Sequence, residues 1–285
     1  MSVERIPQPV VVLISGRGSN MRALVEHSRV QPGAYEVVRV LSDKPAAAGL
    51  DLARDLGVAA AAVPAFGSAA GKPADRAEYE PRLAAVVDEC SPALIVLAGF
   101  MRILSPEFVN RYAGRILNIH PSLLPKYPGL HTHRAVLAAG DPVHGATVHF
   151  VTAELDGGPP VIQATVPVRP GDDEATLAAR VQAEEHRIYP LAVGWYCEGR
   201  LRCRDGLAWL DGAPLAVPVQ YDRDAPSAAA PSAGAPHAGA SQADASQAGA
   251  FRADAPPPGP REVGAPSADA SQAGSPPRNR GKAGS

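Results

Sequence analysis

The chain has 285 residues, a formal net charge of −2 and 46% hydrophobic residues. Its near-neutral charge, without a basic block in the apolar part, argues against nucleic acid as a partner. No stretch approaches the roughly 18 apolar residues that span a bilayer, and the N-terminus lacks a secretory pattern, so we expect a cytoplasmic protein with no membrane partner. Three cysteines without zinc-site spacing suit a reducing compartment.

Composition divides the chain into three segments. Residues 1–9 precede the first apolar run and are predicted to be a flexible extension. Residues 10–216 are rich in Val, Leu, Ile and Ala with regular turn signals, and are long enough to form a single core. Residues 217–285 are a low-complexity tail of mainly Ala, Gly, Pro and Ser, which we expect to be disordered because it has little apolar surface to offset its ordering entropy.

The apolar pattern predicts alternating strands and helices in residues 10–216. Strands are predicted at 10–15, 35–41, 58–63, 93–98, 115–119, 145–151 and 161–168, and a closing hairpin at 200–210. Helices are predicted at 46–56, 76–89 and 132–139. One more helix begins near Met21, another begins after Ser105 as N-cap, and a long one runs from a cap at Asp172 or Asp173 to residue 196. This alternation predicts an α/β fold with a doubly wound, mostly parallel, Rossmann-like sheet that binds ligands at the carboxyl ends of its strands.

A glycine loop, Gly16-Arg17-Gly18-Ser19-Asn20, follows the first predicted strand. Backbone amides and a helix N-terminus at such a place attract an anion such as phosphate. The alternative is an ordinary turn from strand to helix. The loop is not a dinucleotide fingerprint, because Met21 occupies the third glycine position, and it lacks the lysine of a P-loop.

Asn118 and His120 end another predicted strand, and Pro121 stops it. Alternation along the strand places both side chains on one face, where each can donate a hydrogen bond to an oxygen that gains charge. Asp156, before two glycines, would keep a nearby His120 protonated as a general acid or oxyanion stabiliser. The alternatives are polar groups that satisfy loop backbone and, for Asp156, a turn residue.

Other polar residues give weaker signals. His131, His133, His144 and His149 lack a carboxylate or cysteine at supporting spacing, so we predict no metal site. Thr147 and His149 alternate on one strand and are either supporting groups of the site or satisfied core residues. Glu184 and Glu185 lie in a long predicted helix, where a solvated face is the usual arrangement.

Four motifs in this order resemble the phosphoribosylglycinamide formyltransferases, the folate-dependent transformylases of purine synthesis. They are Ser-Gly-x-Gly-Ser-Asn at 15–20, Leu-Ala-Gly-Phe-Met-Arg-Ile-Leu at 97–104, Asn-Ile-His-Pro-Ser-Leu-Leu-Pro at 118–125 and Glu-Leu-Asp-Gly-Gly-Pro at 154–159. The resemblance runs from about Val10 to Leu215. It implies transfer of the formyl group of 10-formyltetrahydrofolate, a co-substrate, to the amine of glycinamide ribonucleotide, which gives formylglycinamide ribonucleotide in de novo purine biosynthesis.

The resemblance also implies roles for individual residues. The catalytic residues would be Asn118, His120 and Asp156, and the ribonucleotide would be bound by Gly18, Ser19, Asn20 and Glu185. The folate would be bound by Arg76, Met101, Arg102, Ile103, Leu104, Asn118, Thr152, Ala153, Glu154, Leu155 and Asp156, with Thr147 and His149 in support. The substrates are therefore expected to be small molecules, and the protein to be a monomer or weak homodimer.

Three alternatives stay open at this point. A formyltetrahydrofolate hydrolase usually carries an N-terminal regulatory domain, for which nine residues leave no room. A formyltransferase with another amine acceptor, such as methionyl-tRNA, usually carries a C-terminal barrel that grips RNA, and the nearly neutral tail is poorly suited to that. A folate-binding protein without catalysis has no need of Asn118, His120 and Asp156 together.

Overall fold

Strands and helices alternate along the described chain, which is residues 6–65 and 76–223 of a computed structural model. The strands are β1 Gln8–Ile14, β2 Tyr35–Ser42, β3 Ala60–Ala62, β4 Leu94–Leu97, β5 Ile116–His120, β6 Val143–Phe150, β7 Pro160–Pro167, β8 Leu201–Arg204, β9 Leu207–Leu210, β10 Ala213–Pro214 and β11 Val219–Gln220. The helices are α1 Ser19–Val30, α2 Ala48–Asp55, α3 Arg76–Asp88, α4 Pro106–Arg111, α5 Thr132–Ala139 and α6 Glu174–Cys197.

Eight of the strands form one sheet in the order β3, β2, β1, β4, β5, β6, β7, β11. The five strands from β3 to β5 pair in parallel, so their carboxyl ends lie at one edge of the sheet. β6 runs antiparallel to both β5 and β7. β8, β9 and β10 form a separate small sheet. The predicted doubly wound, mostly parallel sheet is therefore confirmed.

Helices cover both faces of the sheet, which explains the uninterrupted apolar runs in β1 and β4. One face packs against α1 and α6, and the other against α3 and α4. α6 is fixed to the sheet by the buried hydroxyl of Tyr189, which lies 3.0 Å from the carbonyl oxygen of Leu97 and 2.9 Å from that of Leu117. These carbonyls belong to β4 and β5, so Tyr189 ties the long helix to the two strands that carry the site.

Helix starts follow their predicted caps. The Ser105 hydroxyl accepts a hydrogen bond from the Phe108 amide at 3.1 Å, and the Asp173 carboxylate accepts one from the Thr176 amide at 2.7 Å. Asp172, the other candidate cap, instead accepts bonds from Arg180 and from the Arg169 amide.

Both predicted domain boundaries need correction. β1 begins at Gln8, inside the predicted extension, because the Gln8 amide donates to the Ala34 carbonyl. At the other end, β11 lies inside the segment assigned to the tail and pairs with β7, and Tyr221 packs against the core. Two-residue pairings such as β11 leave no periodic signal in the sequence. The predicted disorder of the remaining tail concerns residues 224–285, which lie outside the described residues.

Among the described residues, no helix is long and apolar enough to cross a bilayer.

Truncation tests whether β11 belongs to the folded domain. A chain that ends after Ala216 loses the β11–β7 pairing and the bond from the Tyr221 amide to the Gln163 carbonyl (2.7 Å), so we expect its thermal midpoint to fall by several degrees, on the order of 4 °C. A chain that ends after Arg223 keeps these contacts and is the matched control. Equal midpoints for the two chains, measured by calorimetry, would show that β11 contributes nothing.

Candidate active site

Asn118 and His120 lie at the carboxyl end of β5, next to the antiparallel strand β6. The register places Asn118 opposite His149 and His120 opposite Thr147. Because side chains alternate along a strand, this pairing gathers two polar pairs on one face of the sheet. The sequence-based placement of Asn118 and His120 together on this face is therefore correct.

His120 is almost completely buried, with acceptors near both ring nitrogens. Its Nδ1 lies 3.5 Å from Oδ2 of Asp156, and its Nε2 lies 2.9 Å from the backbone carbonyl oxygen of Tyr127. The carbonyl oxygen can only accept, so Nε2 donates to it, and the carboxylate faces the other ring nitrogen.

Asp156 is held by the loop between β6 and β7. Its backbone has a left-handed φ of 51°, and its Oδ2 accepts a 2.8 Å hydrogen bond from the Gly129 amide. Gly158 allows the loop to pass close to β6, since a Cβ there would lie 1.8 Å from the Phe150 carbonyl oxygen. The loop thus places a 9% exposed carboxylate side chain against His120.

His149 sets the orientation of the Asn118 amide. Burial lowers the pKa of His149 to about 4, so the ring is neutral at neutral pH. Its Nδ1 donates to the Phe150 carbonyl at 2.9 Å, which leaves Nε2 as an acceptor for the Asn118 amide nitrogen at 3.1 Å. Asn118 uses one N–H in this way, and its second N–H has no partner among the described residues.

A cavity of about 440 Å³ opens in front of these groups. All but one of the predicted folate-binding residues line it: residues 101–104, Asn118 and residues 152–156. Four large apolar side chains at its wall are more than half exposed, namely Met101, Ile103, Leu130 and Leu155. A cavity with an apolar rim and a few convergent polar groups is suited to a small molecule that covers the apolar side chains and is oriented by the polar ones.

Arg76 and Thr147 depart from their predicted places. Arg76 is the exposed first residue of α3 and does not line the cavity. Thr147 is fully buried and does not line it either. Its hydroxyl donates to the Ser122 carbonyl at 2.7 Å and accepts from the Leu124 amide at 3.0 Å, so it supports the loop after β5 rather than facing the cavity.

The predicted ribonucleotide residues form a second group at the end of β1. Gly18 has a left-handed φ of 77° and precedes α1. The side-chain Nδ2 of Asn20 donates to Oε2 of Glu185 on α6 at 2.8 Å. Burial raises the pKa of Glu185, and the bond from Asn20 opposes that rise. The Asn20 Oδ1 is buried without a hydrogen-bond partner among the described residues. Glu185 is therefore not on a solvated face.

Sequence inspection missed Gln182 and Gly49. The Gln182 side chain donates to the Ser19 hydroxyl at 3.0 Å, and its spacing of three residues from Glu185 on α6 is a signal that was present. Gly49, in the first turn of α2, lies against the glycine loop, where its amide donates to the Gly16 carbonyl at 3.0 Å. A Cβ at Gly49 would lie 2.9 Å from that carbonyl oxygen.

His133 and His144 contact each other. Nδ1 of His133 lies 3.0 Å from Nε2 of His144, and His131 and His133 line the cavity. Within residues 6–65 and 76–223, no three His, Cys, Asp or Glu side chains converge as a metal-ligand set.

An amide, an imidazole and a carboxylate that converge on a cavity are the groups with which group-transfer enzymes stabilise an oxyanion. A family model described as formyl transferase matches residues 8–193. The chain is 52% identical over 208 residues to the phosphoribosylglycinamide formyltransferase of Escherichia coli (strain K12), covering 72% of this chain and 95% of that protein. The solved phosphoribosylglycinamide formyltransferase of Coxiella burnetii has a TM-score of 0.70 at 42% identity, covering 76% of this chain and all of that one.

A formyltetrahydrofolate deformylase from Pseudomonas putida is also similar, with a TM-score of 0.64 at 25% identity over 73% of this chain and 72% of that one. The chain belongs to the formyl transferase family, and its higher identity to the phosphoribosylglycinamide formyltransferases places it with them. The sequence-based resemblance is confirmed, and the protein is a one-carbon group transferase.

Acid should destabilise the protein partly through His149. Its pKa is about 4 in the folded chain and about 6.5 when unfolded, so between these values the unfolded state binds more protons. We therefore expect the free energy of unfolding to fall as pH falls from 6.5 to 4. Replacing His149 with Gln should reduce that slope by up to about 1.4 kcal/mol per pH unit in urea titrations. An unchanged slope would contradict a buried neutral His149.

Substitution of Gly49 tests the close packing of α2 on the glycine loop. Gly49→Ala should lower the free energy of unfolding by about 1–3 kcal/mol, because the new methyl group would meet Ile14 and the Gly16 carbonyl. Gly194→Ala in α6 is the matched control, since its Cβ meets nothing within 4 Å and alanine favours a helix. Equal stabilities of the two variants in urea would show that the loop does not need this contact.

Proposed function

We propose that the enzyme transfers the formyl group of 10-formyltetrahydrofolate directly to the amine of glycinamide ribonucleotide, giving formylglycinamide ribonucleotide in de novo purine biosynthesis. The observation that carries this function is the 3.5 Å contact between His120 and Asp156 at the end of the apolar cavity, beside the free N–H of Asn118. High identity to named phosphoribosylglycinamide formyltransferases supports the same substrates.

His120 and Asn118 stabilise the charge that develops on the formyl oxygen. When the amine attacks the formyl carbon, the electron pair of the C=O bond moves to oxygen, and both side chains donate hydrogen bonds to it. The Nε2–H of His120 otherwise donates to the Tyr127 carbonyl. A charged oxygen is a stronger acceptor than a neutral carbonyl and competes for that hydrogen bond.

Asp156 keeps His120 charged and accepts the proton lost by the amine, through water. The oxyanion then reforms the C=O bond, the bond from carbon to N10 of the folate breaks, and N10 takes up the proton that came from the amine, which Asp156 returns through water. No covalent intermediate with the enzyme is needed. The buried position of Asp156 supports this role, because its charge acts on His120 with little screening by solvent.

The two substrates occupy neighbouring groups of residues. The pteridine lies in the cavity against residues 101–104 and 152–156, where the exposed apolar side chains gain by being covered. The ribonucleotide phosphate binds the amides of Gly18, Ser19 and Asn20 at the start of α1, and Glu185 accepts bonds from ribose hydroxyls. Gln182 holds the Ser19 hydroxyl. Arg76 has no support from the geometry as a folate ligand.

The near-neutral charge of the chain supports action on small molecules alone. We further propose that the enzyme works in the cytoplasm as a monomer or weak homodimer, without a metal.

The main competing activity is hydrolysis of the formyl folate, because a deformylase shares the fold. Water would then replace the amine, and Gly18, Asn20 and Glu185 would have no ligand. The two activities differ in one requirement. If the enzyme is a transferase, an absorbance assay should show loss of a formyl-folate analogue only when glycinamide ribonucleotide is present. Equal turnover without the ribonucleotide would identify a hydrolase.

Substitution of His120 tests the mechanism. His120→Ala should lower formyl transfer on the order of a hundredfold or more, because it removes an oxyanion donor, while folate affinity stays within about tenfold. His27→Ala, the same change in α1 outside the cavity, is the control and should keep near-normal turnover. Normal turnover in the His120 variant would refute its proposed role.

A further inference from the structure

The end of β1 carries a buried hydroxyl that the proposed reaction does not use. Ser15 is 5% exposed and directly precedes the glycine loop. Asp43, also 5% exposed, directly follows β2. Because Ile14 pairs with Ser42 in the parallel register, Ser15 and Asp43 emerge side by side at the carboxyl edge of the sheet.

Ser15 makes three hydrogen bonds at this edge. Its hydroxyl donates to Oδ1 of Asp43 at 2.6 Å and accepts the Met101 amide proton at 2.9 Å. Its own amide donates to the Gly99 carbonyl at 3.1 Å. A hydroxyl has a single proton, so its bond to the carboxylate leaves the oxygen lone pairs for Met101.

The segment that Ser15 holds forms one wall of the cavity. Residues 99–104 all line it, and the segment turns at Gly99, which has a left-handed φ of 74°. Met101 is 64% exposed and Ile103 is 51% exposed, whereas Leu104 is buried in the core and Phe100 packs against it. The bonds from Ser15 hold the backbone at the start of the wall, at Gly99 and Met101.

We propose that Ser15, with its hydroxyl oriented by Asp43, is a positioning residue that sets the folate-binding wall at residues 99–101 relative to the glycine loop. Ser15 is joined by the chain to the loop and by hydrogen bonds to the wall, so it fixes the distance between the two substrate groups. This inference rests on the proposed function. Neither Ser15 nor Asp43 touches the reacting atoms.

A second contact keeps the wall folded when Ser15 is changed. The Arg102 guanidinium lies 4.7 Å from the ring centre of the buried Tyr79 on α3. Loss of the Ser15 hydroxyl is therefore expected to shift the wall without unfolding it.

The first experiment compares Ser15→Ala with Ser28→Ala. Ser28 lies in α1, where its hydroxyl donates to the Val25 carbonyl of the same helix. Calorimetric titration of each full-length variant with a formyl-folate analogue should give a Kd raised about tenfold for Ser15→Ala and nearly unchanged for Ser28→Ala. The Kd for glycinamide ribonucleotide should change less than about threefold. Equal folate Kd values for the two variants would overturn the proposal.

The second experiment separates the orienting role of Asp43 from a general effect on folding. Asp43→Asn keeps an acceptor oxygen for the Ser15 hydroxyl and should leave the folate Kd within about threefold of the wild type, whereas Asp43→Ala should raise it like Ser15→Ala. The Ser15→Ala/Asp43→Ala double variant should bind the folate analogue no more weakly than either single variant. Additive increases in Kd, or Asp43→Asn binding the analogue as weakly as Asp43→Ala, would show that Asp43 does not act through Ser15.

The binding measurements also distinguish this inference from the proposed function. Wild-type protein that binds the folate analogue but transfers no formyl group would contradict the function and leave the role of Ser15 to be judged by Kd alone. Wild-type protein that transfers the group, with Ser15→Ala no different from Ser28→Ala, would contradict only the role of Ser15. The thermal midpoint of each variant, measured on the same samples and compared with that of the wild type, tests whether the variant is folded.

Discussion

The buried carboxylate of Asp156 is the constraint on which the rest of the site depends. An ionised carboxylate is costly to bury unless hydrogen-bond donors surround it. Here the Gly129 amide donates to it at 2.8 Å, and His120 lies 3.5 Å away. Both arrangements require chain segments that are distant in sequence, namely β5, the loop before α5 and the loop after β6, to meet at one point. They meet beside His120 at the carboxyl end of β5.

The carboxyl edge of the parallel strands explains how two different ligands can meet. β1 ends in the glycine loop, β4 ends in the cavity wall and β5 ends in His120, and their parallel order places β4 between the other two. α6 crosses behind them and carries Glu185, while Tyr189 one turn later holds the helix to β4 and β5. Ser15 adds a direct link between the glycine loop and the cavity wall. Helices and strands of one sheet therefore hold both groups of proposed binding residues, as direct transfer between two substrates would require.

The sequence predicted the large elements and the meeting of Asn118 and His120, because long apolar runs, proline and glycine report local structure directly. It also singled out Asp156, both as a carboxylate before two glycines and through a resemblance, although the contact with His120 depends on the loop conformation. The donor at Gly129 and the acceptor at Tyr127 are backbone groups, which any residue could supply, so no residue type reveals them. Thr147 was predicted either to support the site or to be a satisfied core residue, and its particular bonds could not be predicted because the sequence does not specify the path of the loop after β5.

The most direct test of the account is a single-turnover experiment with an isotopically labelled formyl group on the folate and glycinamide ribonucleotide as acceptor. The account predicts that the label appears in the formylated amine of the ribonucleotide, at a rate that matches loss of the formyl folate. Label released mainly as formate, or found on the protein as a covalent intermediate, would contradict direct transfer between two substrates held at one sheet edge.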